Sequence, residues 1–253
     1  VTTIVVIPTY NEALGVRTVL DEVLRSVPDA DILVVDDNSP DGTGALVEAH
    51  PAYLTRLLLL TRSEKDGLGA AYRAGFTWAL ARDYDVIVQM DADLSHPPAK
   101  IPELVAALGQ ADVAIGSRYV RGGGVDNWTW RRRVISRVGN AYVRVVLGLR
   151  VRDATAGFRA FRRDSLLRLG VLESQSNGYA FQIENTWRAS RMGLTTTEVP
   201  ITFTDRTVGE SKMSTAIIRE AVLRVLAWRW HEIRDRRPAT ATTPMRRTSD
   251  ARS

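Results

Sequence analysis

Five short runs in the first half of the chain, residues 3–8, 31–37, 56–60, 86–90 and 113–118, are almost continuously apolar and rich in Val, Ile and Leu. A run without polar alternation predicts a strand buried on both faces. Between the runs the spacing changes. Val16, Val19, Leu20, Val23 and Leu24 recur at helical intervals, and residues 43–49 and 102–108 read the same way. Gly67-Leu68-Gly69 opens a further helix whose small face is Ala70, Ala71, Ala74, Gly75, Trp78 and Ala79. We take Gly67 and Gly69 as helix-entry packing rather than a phosphate loop. Strand and helix thus alternate through residue 118. The predicted fold class is α/β, a Rossmann-like, mostly parallel sheet flanked by helices.

The pattern then loosens. Gly122-Gly123-Gly124 and the aromatic and basic stretch Asn127 to Arg133 precede a helix over 134–149, with Val138, Tyr142, Val145, Val146 and Leu149 on one side. Residues 153–159 read as a compact polar loop, within which an Asp153–Arg159 ion pair is expected. A helix follows over 181–192, then a strand over 195–203. Glu184 stands near that helix start, where the dipole favours an acid; an active-site role is the other reading. The last helix, 214–230, carries Ile217, Ile218, Ala221, Val222, Val225, Leu226 and Trp228 opposite Arg219, Glu220 and Arg224. Each of these C-terminal amphipathic helices either packs on the sheet or lies on a membrane surface. The expected organisation is one domain over 1–230, with halves 1–118 and 119–230. Residues 231–253 form a basic tail, expected to be disordered.

Composition narrows the chemistry. Of 253 residues, none is cysteine and three are histidine (His50, His96, His231), which leaves a hard, oxygen-ligated cation as the metal to expect. The net charge is +5, but +3 of it comes from Glu232 onward, where Arg234, Arg236, Arg237, Arg246, Arg247 and Arg252 face three acids. That argues against a nucleic-acid groove through the body; a basic tail suits an anionic membrane surface or plain solvation. No apolar run approaches the ~20 residues of a membrane span, and the N-terminus has no basic leader. The expected location is cytoplasmic, peripheral to the membrane.

Three strands end in polar residues: Pro8 through Glu12, Asp36-Asp37, and Asp91-Ala92-Asp93. In an open α/β sheet such ends share one edge, where ligands bind. Asp91-Ala92-Asp93 alone reads either as a capped, solvated turn or as two carboxylates holding a divalent cation against phosphate oxygens. The convergence of three ends favours the cation. Asp36 divides evenly between a turn cap and a ligand contact.

Six motifs together carry a resemblance: Ile7-Pro8-Thr9-Tyr10-Asn11-Glu12; residues 34–43, Val34 to Thr43; residues 90–97, Met90 to Pro97; Gly116-Ser117-Arg118-Tyr119; residues 153–159, Asp153 to Arg159; and Gly209-Glu210-Ser211-Lys212-Met213. They resemble family 2 glycosyltransferases of the GT-A fold, and within them the polyprenol-phosphate (dolichol-phosphate) mannose synthases. The resemblance implies transfer of mannose from GDP-mannose to a polyprenyl monophosphate, with inversion, aided by Mg or Mn. It implies donor contacts at Pro8, Tyr10, Glu12, Val35, Asp37, Asp91, Ala92, Asp93, Arg206 and Lys212. Metal contacts would come from Asp91, Asp93 and Ser95, with Asp93 the direct ligand. Arg118 and Arg131 would clamp the lipid phosphate, and Asp91, Asp93, Arg118 and Arg131 together would carry catalysis. A membrane surface is the implied partner, reached directly or through a separate or fused membrane protein. Arg118 has a second reading, pairing with a nearby acid. Rival functions are a family 2 transferase with another donor or acceptor, such as UDP-glucose or a soluble glycan, and a non-catalytic binding module.

Overall fold

The computed structural model describes residues 1–174, 176, 178–205 and 215–235. Its first half runs β1 (Thr3–Thr9), α1 (Val16–Ser26), β2 (Asp31–Asp36), α2 (Thr43–Glu48), β3 (Leu57–Thr61), α3 (Gly67–Leu80), β4 (Val86–Gln89), α4 (Ile101–Ala107) and β5 (Val113–Ser117). The second half runs β6 (Gly124–Asp126), α5 (Trp130–Leu147), β7 (Arg159–Arg162), α6 (Arg163–Leu169), α7 (Gly178–Arg191), β8 (Thr196–Pro200), β9 (Thr202–Thr204) and α8 (Thr215–Asp235).

The main sheet has the order β3-β2-β1-β4-β7-β5-β8, and β6 pairs with β9 beside it. Every pair in the main sheet is parallel except those of β7 with β4 and β5. Successive side chains point to opposite faces. Ile4, Val6, Leu33 and Val35 therefore enter one core, and Val5, Ile7, Ile32 and Val34 the other. Covering both faces requires the continuous apolar runs seen in the sequence. Chain order reverses between β1 and β4, which opens a crevice beyond their carboxyl ends.

Glycine sets how closely α3 lies on the sheet. A Cβ on Gly75 would come within 2.4 Å of Val6 Cγ1 and 3.0 Å of Val35 Cγ2. Val35 is fully buried beneath that contact.

Four features depart from expectation. Only Arg159 of β7 falls in an expected element, the loop over 153–159; Arg-Ala-Phe-Arg is short and half charged, so its pattern predicts no strand. It inserts antiparallel between β4 and β5, so its leading loop, 153–158, arrives at the edge where β4 ends. The strand expected over 195–203 is two strands, β8 and β9, the second in the small sheet. α5 begins at Trp130 rather than 134, where Thr129 Oγ1 accepts from the Arg132 amide at 3.4 Å as an N-cap. α8 runs to Asp235, five residues past its expected end.

Candidate active site

The crevice holds a cavity of about 470 Å³. Pro8, Tyr10, Glu12, Asp37, Asp91, Ala92, Asp93, Ser95 and Arg118 all line it, so the structure brings most of the expected residues together. Val35 does not join them, since its side chain lies in the core. Arg131 is exposed on the first turn of α5, and Arg132, one position on, is in the wall instead. One residue rotates a helical side chain by about 100°, which is the physical reason for this correction. Arg206 and Lys212 lie outside the described residues.

At one end of the cavity, the β1 loop is laced to the β2 loop. Asn11 and Ala13 amides donate to Ser39 Oγ and Asp41 Oδ2, both at 3.0 Å, and the Glu12 amide donates to Thr43 Oγ1 at 3.0 Å. Asn11 and Asn38 both take positive φ, 59° and 54°, a conformation Asn tolerates. Asp36 proves to be a turn cap: it accepts from Thr9 Oγ1 at 2.7 Å and from the Ser39 amide and Oγ at 2.8 and 2.6 Å. Asp37 instead faces the cavity, paired with Arg62 at 2.6 Å. Burial raises its pKa, with Arg62 and Lys65 opposing. Lys65, which the sequence reading passed over, sits 3.8 Å above the Tyr10 ring.

In the middle, residues 91–96 fold into a turn closed upon itself, with Leu94 at φ 58°. Asp93 Oδ1 accepts from Ser95 Oγ at 2.5 Å and from the Ser95 amide at 3.1 Å. The Asp91 amide donates to His96 Nδ1 at 3.2 Å. A neutral His96 therefore carries its proton on Nε2, so it holds the turn together rather than ligating a metal. Its ring stacks on Phe158 at 5.2 Å. Tyr72 donates to Asp91 Oδ1 at 2.7 Å; burial, and then the Asp91 charge, keep that phenol protonated. Among the described residues no three His, Cys, Asp or Glu could hold a metal ion between them. Two carboxylates and a hydroxyl are instead the donor set of a Mg²⁺-like cation that completes its shell with phosphate and water. The residues fit such an ion.

The far end is cationic. Arg118 Nε and Nη2 donate to the two oxygens of Asp153 at 2.7 Å each, and Nη2 also reaches Thr155 Oγ1 at 2.8 Å. Asp153 is fully buried. Burial would raise its pKa, but Arg118 outweighs this and holds it below the ordinary value. Arg118 thus both pairs with an acid and lines the cavity. The expected Asp153–Arg159 pair is replaced. Arg159, 1% exposed, donates to the carbonyls of Ala156 (2.8 Å), Ala154 and Gln182 (both 3.1 Å). Burial lowers its pKa to about 10, leaving it charged at neutral pH.

Arg132 pairs with Asp205 and lies 4.3 Å from the Trp128 ring. Arg132 Nε and Trp128 Nε1 are buried donors without a partner among the described residues. The sequence flagged this aromatic and basic stretch but not which arginine faces inward. Glu184 is no cavity residue; it accepts from Ser174 Oγ at 2.7 Å and pairs with Arg188 at 2.8 Å.

A family model described as Glycosyl transferase family 2 matches residues 4–170. A polyprenol monophosphomannose synthase from Mycolicibacterium smegmatis is 51% identical over 228 residues, 89% of this chain and 86% of that protein. An undecaprenyl-phosphate mannosyltransferase from Micrococcus luteus is 48% identical over 235 residues, 91% and 97% of the two chains. Among solved structures, glucosyl-3-phosphoglycerate synthase from Mycobacterium tuberculosis, in complex with Mn²⁺ and UDP-glucose, shares the fold. Its TM-score is 0.62 at 21% identity, over 89% of this chain and 77% of that one.

Proposed function

The chain belongs to glycosyl transferase family 2, and from that premise we propose that it moves mannose from GDP-mannose to a polyprenyl monophosphate, with inversion, releasing GDP. The observation that carries this is the polarity of the cavity. Carboxylates sit mid-cavity, and beyond them two arginines and an indole present buried donors, two of them unpartnered among the described residues. That order fits a diphosphate, which a cation would accompany, meeting an anionic nucleophile. The two relatives, a polyprenol monophosphomannose synthase and an undecaprenyl-phosphate mannosyltransferase, support the mannose and the polyprenyl-type acceptor.

Pro8, Tyr10, Glu12, Asp37 and Lys65 take the nucleoside. Asp93, with Ser95 and Asp91 in the same turn, would hold Mg²⁺ or Mn²⁺. Once bound, the ion supplies positive charge to the departing diphosphate. At the other end Arg132 and Trp128 offer their N–H donors to the acceptor phosphate, and Arg118, its plane fixed by Asp153, borders the same space. A phosphate oxygen forms the new bond to the anomeric carbon as the bond from that carbon to the GDP oxygen breaks, and the electron pair leaves with GDP. A phosphate monoester, second pKa about 6, is mostly dianionic at neutral pH and needs no general base. This suits a cavity whose histidine is committed to a turn.

The lipid tail has a route out. Trp130, Val134 and Val138 follow one another at four-residue spacing on α5, each at least half exposed, beginning beside Trp128 and Arg132. α8, which packs on α5, exposes Leu223, Leu226 and Trp230. Among the described residues no helix is long and apolar enough to cross a membrane. We assign this face to the cytoplasmic membrane surface, reached directly or with a membrane protein as partner.

Replacing Arg132 by alanine separates the two arginines. Loss of a charged hydrogen bond worth about 1.5–3 kcal/mol should raise the apparent KM for polyprenyl phosphate roughly 10- to 100-fold, measured in detergent micelles. Arg131→Ala should change it less than about threefold. Equal effects, or a larger one at Arg131, would return the role to Arg131.

A further inference from the structure

α7 brings a buried amide to the cavity with nothing to bond. Gln182 is 3% exposed and lines the wall, yet neither Nε2 nor Oε1 has a hydrogen-bond partner among the described residues. Its main chain is firmly held: the Gln182 carbonyl accepts from Arg159 Nη2 at 3.1 Å and from Thr186 Oγ1 at 2.9 Å. The side chain is therefore placed by the fold. Buried polar groups are almost always paired, and an unpaired one is destabilising, so it demands a reason.

Gly157 shows what the reason is. A Cβ built there would lie 3.4 Å from Asp91 Oδ2, 3.5 Å from His96 Cε1 and 3.6 Å from Gln182 Nε2. These are ordinary contact distances, so alanine would fit. With no Cβ, that face of Gly157 stays open, and a ligand atom can come into van der Waals contact with its Cα beside a carboxylate oxygen and an amide nitrogen. The atom that suits must donate to Asp91 and accept from Gln182. A hydroxyl does both. A phosphate oxygen would be repelled by the carboxylate, and a cation by the amide N–H.

We propose that Gln182 and Asp91, both beside the open face of Gly157, bind a ring hydroxyl of the transferred sugar and so help select the hexose. The inference rests on the sugar-nucleotide reading above. It assigns a role to a residue that no motif had marked. It also refines the acidic turn: Asp93 would be the cation's principal ligand, and Asp91, beside it, would offer Oδ2 to the sugar.

GDP and GDP-mannose differ by this sugar, so their affinities isolate the contact. Gln182→Met and Gly157→Ala would be titrated calorimetrically with both ligands in the presence of Mn²⁺. Both variants should weaken GDP-mannose about 10-fold, the effect of one buried hydrogen bond, while the Kd for GDP stays within about twofold. In a set of GDP-deoxymannoses, one position should cost the wild type about 10-fold and Gln182→Met almost nothing. The ligand-free melting temperature of Gln182→Met should hold or rise, because an unpaired amide is gone. Equal weakening of both ligands, weakening of neither, or a drop of more than about 5 °C in that Tm would overturn the proposal; on the scale of 2–4 °C per kcal/mol, such a drop marks a structural amide. Wild-type protein that binds GDP-mannose no better than it binds unrelated sugar nucleotides would overturn the donor reading first, and this inference with it.

Discussion

Asp93→Ala is expected to lower transfer at least about 1000-fold, the scale of losing a main electrostatic group in an active site. The reasoning runs from the backbone outward. β4 ends at Gln89, and the chain leaves the sheet after Met90, whose amide still donates to the Val6 carbonyl at 3.2 Å. The following turn is held by His96, by Ser95 and by the positive φ of Leu94. Asp93 is thereby presented at the switch point of the sheet with its carboxylate braced by a hydroxyl. On the proposed reading, removing it takes away the residue that would be the cation's principal ligand, while the turn's own Asp91–His96 bond survives. The loss should fall on turnover and on metal-dependent donor binding, with Tm lower by only a few degrees as the two Ser95 bonds to Asp93 are lost. Kinetics across a Mn²⁺ titration, together with a thermal melt, check this. Activity within tenfold of wild type at saturating metal would remove Asp93 from the site.

The second large effect is on stability. Arg159→Met removes a cation that serves three carbonyls at once, those of Ala154, Ala156 and Gln182. All three lose that donor in a place water does not reach; Thr186 Oγ1 still serves those of Ala154 and Gln182, so the cost of an unsatisfied group, about 1–3 kcal/mol, falls on Ala156, and the other two each lose a charge-assisted hydrogen bond. Relaxation will recover part of this, and we expect a net loss of roughly 3 kcal/mol. At 2–4 °C per kcal/mol for a chain of this size, Tm should fall by about 6–12 °C. The same arginine fixes the loop that carries Gly157 to the helix that carries Gln182, so donor affinity should fall as well. A melt within about 2 °C of wild type would show that the loop and α7 are held by other contacts.

How much of this was legible in the sequence follows from where each signal is stored. The parallel half of the sheet announced itself because strands covered on both faces must be apolar throughout, as Ile4 to Ile7 and Ile32 to Val35 are. Strand ends carrying Tyr10, Asp37, Asp91 and Asp93 could then be gathered to one edge by topology alone. β7 gave no such signal. Its two arginines are spent on main-chain carbonyls, Arg159 inside the core and Arg162 on that of Ala111 at 3.0 Å, and charge in a short segment reads as loop. The choice between Arg131 and Arg132 depended on where α5 starts. That start is set by Thr129, a cap hidden inside an aromatic stretch. Asp153 could not be assigned its partner, because Arg118 reaches it from 35 residues away, whereas Arg159 was near in sequence. Gln182 carried no motif; only its burial without a partner reveals it.

The most direct test of the central claim is transfer itself. The purified chain would be incubated with polyprenyl phosphate in vesicles and labelled GDP-mannose, with UDP-glucose in a parallel arm, each with Mg²⁺ or Mn²⁺ and with chelator. Label entering a mild-acid-labile lipid from GDP-mannose, and lost on chelation, is the predicted result. Label entering lipid only from UDP-glucose, or from no sugar nucleotide with metal and lipid phosphate both supplied, would contradict it.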